Sequence, residues 1–181
     1  MPILLKSLIL EGRYEVGVII AKVKDDDAQK IMDFNYGFIP EQVLYTQEFN
    51  HGREKEPHIT VKYGLTESYS PNQIQDILRD INPFKVDVRG ISTFNNPKFD
   101  VVKFDVDGKE LRHLNAIFSK LPNKDTHPEY HGHLTLAYVK KGSGNRFIRP
   151  TSKIAKIEIN EIIYSNKGTK SRYRLGYDNK T

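Results

Sequence analysis

Two short stretches carry side chains that could do chemistry together. One is Pro57-His58-Ile59-Thr60-Val61-Lys62-Tyr63-Gly64; the other is His133-Leu134-Thr135-Leu136-Ala137-Tyr138. Each opens an apolar run with His-x-Thr. With six His and nine Thr in 181 residues, random placement gives roughly 0.3 such tripeptides, so two copies on alternating runs rise above the noise of a short motif. Side chains alternate between the faces of a strand. The spacing therefore puts His58, Thr60 and Lys62 on one face and Ile59, Val61 and Tyr63 on the other. His133, Thr135 and Ala137 likewise share a face, opposite Leu134, Leu136 and Tyr138. An imidazole beside a hydroxyl is thus presented twice, with the apolar set, Tyr63 and Tyr138 included, expected in the core.

Two imidazoles suit phosphodiester cleavage. One must take a proton from an attacking oxygen, the other must give one to a leaving oxygen, and an unperturbed His titrates near 6.5. Each well-placed acid or base contributes about 10²–10⁴-fold. A Thr hydroxyl on the same face can bond a non-bridging oxygen and support charge that develops in the transition state. The two histidines are interchangeable in this reading, and no metal or cofactor is required.

The surrounding elements follow a repeated grammar. Residues 14–23 are rich in Val and Ile and read as a strand. Asp25, Asp26 and Asp27 suit a helix N-terminus, Ala28, Ile31 and Met32 give that helix an apolar face, and Gly37 and Pro40 bound it. Residues 42–55 read as a connection with a short strand at 43–46. Ser70-Pro71 starts a second helix, striped by Ile74, Ile77, Leu78 and Ile81 and stopped by Pro83. Residues 84–93 and 99–107 read as strands. Asp107 and Glu110 have capping-box spacing ahead of a helix striped by Leu111, Leu114, Phe118 and Leu121. Residues 154–164 and 171–177 read as a closing hairpin around Asn166-Lys167-Gly168. The motif histidines lie 75 residues apart, consistent with a duplicated lobe.

Paired His-x-Thr strands in two similar halves resemble the two-histidine phosphoesterase superfamily. That superfamily includes bacterial RNA-ligase-like 2′,3′-cyclic phosphodiesterases and phage enzymes that degrade cyclic-oligonucleotide signals. The resemblance implies an α+β fold over 1–181: two pseudo-symmetric lobes, about 1–82 and 83–181, each an antiparallel sheet with outer helices. The lobes would face each other across a cleft holding His58, Thr60, His133 and Thr135. The extra His131 and the basic segments near the C-terminus depart from the pattern and leave the subfamily open.

Composition bounds the rest. The chain carries a net charge of +5 and a pI near 9.2, which favours an anionic partner such as a nucleotide or RNA. The absence of Cys removes disulfides, thiolate chemistry and Cys-type zinc sites and is compatible with a reducing cytoplasm. Residues 1–10 lack the charged start and small-residue cleavage site of a signal peptide, and no run reaches membrane-spanning length. A cytoplasmic monomer is expected.

Outside the tetrad, Lys62 could contact phosphate or be a solvated edge lysine. Lys140, Lys141, Arg146 and Arg149 lie in a Gly-Ser-rich loop that could close over a polyanion or be plain surface. Arg172 and Arg174 could line a basic cleft or be exposed. Tyr130 and Phe147 could stack a base or pack conventionally. His131 adjoins the second motif and could contact substrate. Two other functional classes stay open. His127, His131 and His133 could ligate zinc in a hydrolase, which leaves His58-Ile59-Thr60 unexplained. A nucleotide- or RNA-binding module without turnover is the third.

Overall fold

A computed structural model describes residues 16–48, 51–127 and 129–176. Residues 14 and 15 of the first expected strand, the apolar stretch 1–10 and Tyr177 lie outside them. Seven strands and three helices follow one another: β1 (Gly17–Val23), α1 (Asp25–Phe38), β2 (His58–Leu65), α2 (Pro71–Leu78), β3 (Phe84–Asn95), β4 (Phe99–Asp107), α3 (Lys109–Phe118), β5 (His133–Lys140), β6 (Lys156–Asn166) and β7 (Thr169–Arg174). This is an α+β fold whose strands all pair antiparallel, in the order β1-β2-β5-β4-β3-β6-β7 with a further β1–β6 pairing.

The sheet closes on itself through two thin seams. At one, β2 meets β5 at the single pair Ile59–Leu134. At the other, the first four residues of β6 meet β3. Between the seams lie β5-β4-β3 and β2-β1-β6-β7. The closing hairpin, placed with the second half by chain order, pairs with β1 from Val18–Ser165 to Val23–Ile159. Its turn falls within the expected Asn166-Lys167-Gly168 but is tighter, since Asn166 pairs with Thr169 and Lys167 and Gly168 both take positive φ (44° and 85°), as a two-residue type I′ connection requires.

Helix starts differ in how well their caps were legible. Ser70 caps α2 in a full capping box with Gln73. Asp107 does not cap α3. It ends β4 opposite Asp87 and pairs with Arg112, and the N-cap is Gly108. The short strand expected at 43–46 is a 3₁₀ turn, Glu41–Val43, followed by one bridge from Leu44 to Val139.

One apolar core lies between the strands and the helices. It holds Ile59, Val61, Leu134 and Leu136 from the motif strands, Ile31 from α1, Ile74 and Leu78 from α2, and Leu111, Leu114 and Phe118 from α3. The helices cross over: α1 packs on β5, and α3 packs on β2. Each half therefore braces the motif strand of the other.

Candidate active site

Ile59 and Leu134 are direct cross-strand partners at the first seam, and both are fully buried against the helices. Their sequence neighbours therefore point the other way. Extending the antiparallel register by one residue each way sets His58 opposite Thr135 and Thr60 opposite His133. All four are half-buried. The two His-x-Thr copies thus share one face at their crossing point, related by an approximate two-fold axis through the Ile59–Leu134 pair.

The two rings are held alike. Nδ1 of His58 lies 2.7 Å from the Glu56 carbonyl oxygen, and Nδ1 of His133 lies 3.3 Å from that of His131. A carbonyl can only accept, so each Nδ1 carries the hydrogen and each Nε2 keeps its lone pair in the neutral ring. Two residues upstream of each motif, the backbone fixes both tautomers. Gly132 makes the approach to β5 possible, since a Cβ there would sit 2.7 Å from the Val106 carbonyl oxygen.

Burial pushes the pKa of His133 down to about 4; the charges of Lys103 and His58 push the same way, against the His131 carbonyl and Asp105. Its ring meets the Phe94 ring edge-on at 5.0 Å. On β4, Asp105 lies opposite His133 and Lys103 opposite Thr135. Lys103 is almost fully buried, donates to Ser92 Oγ at 2.7 Å, pairs with Asp105, and lies 4.3 Å from the Phe94 ring centroid. Single-chain reading missed Lys103, Asp105, Ser92 and Phe94, because cross-strand register is needed to bring them to the motif. On β1, Lys22 lies opposite His58 in the same way.

Alternation fails after each Thr. The β1–β2 register slips so that Ile20 faces Thr60 and Ile19 faces Lys62, leaving Val61 as an extra residue. The β4–β5 register slips identically, leaving Leu136 extra. Such a bulge puts two successive side chains on one side and shifts the parity beyond it. Tyr63 therefore joins Val18, Ile20 and Ile163 on the histidine face, and Tyr138 joins Tyr45, Phe99, Val101 and Phe94 there. Both tyrosines lie on the histidine face rather than opposite it; Tyr138 is buried there as expected, and Tyr63 is half-buried. Lys62 turns to the helix side, buried, 2.9 Å from Asp125. Burial opposes the Asp125 charge, but hydrogen bonds from His127 and Lys62 outweigh it and lower its pKa. Lys62 thus leaves the face it was expected to share with His58.

The remaining expected residues scatter. Tyr130 is half-buried and donates to the Thr60 carbonyl at 3.0 Å, with burial raising its phenol pKa. Lys140 is exposed at the end of β5 and donates to the Gln42 carbonyl. Arg146 is exposed and lies over the buried Phe147 ring. The loop after β5 is pinned by paired backbone bonds between Arg149 and Ile91. Arg172 pairs with Glu161. His127 bonds Asp125, and His131 lies 3.5 Å from Glu129. Among the described residues no three His, Asp or Glu converge on a point that could take a metal ion. The three histidines of the zinc reading are directed to separate partners.

A cavity of about 770 Å³ opens beside His58, lined among others by Ile20, Lys22, Met32, Arg53 and Arg172; the other three tetrad residues are not in its lining. No described helix is long and apolar enough to cross a membrane.

A sequence profile of the 2′-5′ RNA ligase superfamily matches residues 40–152, a span that contains both motif strands. The chain belongs to the 2′-5′ RNA ligase superfamily, the two-histidine phosphoesterases. Solved structures of similar fold include Escherichia coli LigT complexed with 3′-AMP, with TM-score 0.61 and 11% identity over 90% of this chain and 98% of that one. Kluyveromyces marxianus Usb1 gives TM-score 0.57 and 9% identity over 89% and 98%. The Thermus thermophilus protein TT0787 gives 0.54 and 13% over 88% and 94%. No curated protein sequence matches the chain. At these identities the structural likeness concerns the fold, and superfamily membership rests on the profile.

Proposed function

We propose that the protein is a metal-independent phosphodiesterase that cleaves a nucleotide or oligonucleotide phosphodiester by paired-imidazole acid–base catalysis. The observation that carries this reading is the matched pair of ring contacts. Both Nδ1 atoms are tied to a carbonyl two residues upstream, leaving both Nε2 atoms for proton transfer on the face that holds Thr60 and Thr135.

The lowered pKa of His133 makes it our choice of base, which leaves the acid to His58. His133, neutral above about pH 4, accepts the proton of the attacking water or ribose 2′-hydroxyl at Nε2. That oxygen bonds phosphorus as the opposite P–O bond breaks. His58, protonated at Nε2, gives its proton to the leaving oxygen. His133 ends protonated and His58 neutral, and solvent exchange restores both. Thr60 and Thr135 hydroxyls donate to non-bridging oxygens, and the buried Lys103 ammonium beside Thr135 adds favourable charge. His131, Lys140 and Arg146 are outer contacts to flanking phosphates, and Tyr130 sets the Thr60 backbone. The superfamily membership, the +5 net charge and the cavity beside His58 support a nucleotide substrate; LigT has been seen with 3′-AMP, NADP⁺ and ATP.

A turnover panel with EDTA present tests the reading: 2′,3′-cyclic mononucleotides, cyclic di- and trinucleotides, and RNA ending in a 2′,3′-cyclic phosphate. Hydrolysis of at least one class is expected. Tight binding without hydrolysis of any class assigns the scaffold to a binding module instead.

A further inference from the structure

The bulges in β2 and β5 occupy the same place in both motifs, three residues after each histidine. Each breaks the sheet ladder at one residue, and each displaced carbonyl is met by an asparagine from a helix of the opposite half. Asn115 on α3 donates Nδ2 to the Val61 carbonyl at 2.7 Å. Asn35 on α1 donates Nδ2 to the Leu136 carbonyl at 2.6 Å, which also accepts the Glu54 N–H at 2.8 Å. Asn35 is almost fully buried and receives Arg53 on its own carbonyl at 2.9 Å. The two helices even share a local pattern, Phe34-Asn35-x-x-Phe38 and Leu114-Asn115-x-x-Phe118. Both lie in the last turn of their helices, where the backbone carbonyl of each accepts the C-cap N–H, so the two clamps match in position as well as in what they hold.

We propose that Asn35 and Asn115 are positioning residues that clamp the two bulges and so set the geometry between the His-x-Thr pairs. Each clamp holds a motif strand by a carbonyl one residue past its Thr. Because each comes from the opposite half, the pair fixes one motif strand relative to the other, and β2 and β5 share only the Ile59–Leu134 pair to do this unaided. In-line displacement needs base and acid on opposite sides of phosphorus, and a misplacement of about 1 Å can cost about 10²-fold. The same bulges turn Tyr63 and Tyr138 onto the histidine face.

This inference rests on the phosphodiesterase reading, and its test separates the two. Asn115 is the informative site, being only half-buried. Asn115→Asp keeps the shape and replaces the donating nitrogen by an acceptor; Asn115→Ala removes the group. Two readouts are taken on protein that keeps its circular dichroism at assay temperature: steady-state kinetics, and the ring ¹H–¹³C resonances of His58 and His133, assigned with the His→Ala variants. Both Asn115 variants are expected to lose kcat by about 10–100-fold with KM within about threefold and to move the His58 resonances. Asn35→Asp is expected to do the same to His133. Folded Asn115 variants with kcat within twofold of the parent and unmoved His58 resonances overturn the proposal. If Asn35→Asp does not fold, Asn115 alone decides. If the parent cleaves no phosphodiester, the phosphodiesterase reading fails, and the ring resonances still judge the clamp.

Discussion

At the scale of single residues, the proposed roles differ enough to be told apart. His58→Ala and His133→Ala should each nearly abolish turnover while leaving substrate binding largely intact, because each removes a proton carrier. Thr60→Ala and Thr135→Ala should leave more activity, since each removes one hydrogen bond; steady-state kinetics on the substrate found in the panel checks the order. His127→Ala should be close to neutral, as its ring faces Asp125. Loss of activity in EDTA, its return with zinc, and a dead His127→Ala beside an active His58→Ala would reverse the mechanism. The pH profile of kcat/KM should be bell-shaped. Its acid limb belongs to His133, which must be neutral to act as base. Since its pKa is lowered to about 4, that limb should lie well below the usual imidazole value near 6.5. Lys103 contributes to the lowering, so Lys103→Met should move the limb upward, and Asp105→Asn, which removes an opposing charge, should move it further down. An acid limb that ignores both substitutions would reassign the base. The tetrad was legible because a strand's period of two is strict over three residues. Lys103 and Asp105 were not, because nothing local says which residue of β4 will lie beside which residue of β5.

At the scale of elements, local signals sufficed where the physics is local. The stripes Ile74–Leu78 and Leu111–Leu114–Phe118 lie in the core as their spacing required, and Ser70-Pro71 begins α2 with a full capping box. Ser70→Ala should therefore lower stability by about 1 kcal/mol, read as a shift in the urea midpoint at constant m-value. Asp107→Ala should cost less: it caps nothing and contributes exposed ion pairs to Arg112 and Arg89, which are individually weak. An equal loss in the two variants would contradict the assignment of Gly108 as the α3 N-cap. The bulges were illegible for the opposite reason. Thr60-Val61-Lys62-Tyr63 and Thr135-Leu136-Ala137-Tyr138 satisfy an alternating pattern, and only the slipped pairing with β1 and β4 shows that Val61 and Leu136 are extra. Continuing the alternation through them sent Lys62 and both tyrosines to the wrong face, although Tyr138 is buried on the face it does occupy.

At the scale of the whole molecule, the closed sheet brings the last strands back beside the first, with β6 pairing to β1, β3 and β7. The connection before each motif strand clips the other motif strand: Leu44 and Arg53 bridge to β5, and Asn123 bridges to the end of β2. Chain order suggested the duplication, but not that its halves exchange these contacts, which exist only once the seam forms. The global charge is read through this frame. Of the cations at the end of β5 and in the loop after it, Lys141 is paired with Asp100, whereas Lys140, Arg146 and Arg149 have no carboxylate partner among the described residues. They hold backbone carbonyls or stack on Phe147 and Phe38. Such cations remain available to a polyanion, and their contacts would be formed equally in ground and transition states. Replacing Lys140, Arg146 and Arg149 together by Ala should then raise KM for an oligonucleotide more than it lowers kcat. Each lost phosphate contact should also flatten the slope of log affinity against log salt by about 0.7. A cyclic mononucleotide, with no flanking phosphates, should show little of either effect. Equal slopes for the variant and its parent on the longer substrate would assign the loop to plain surface and leave binding to the cleft alone.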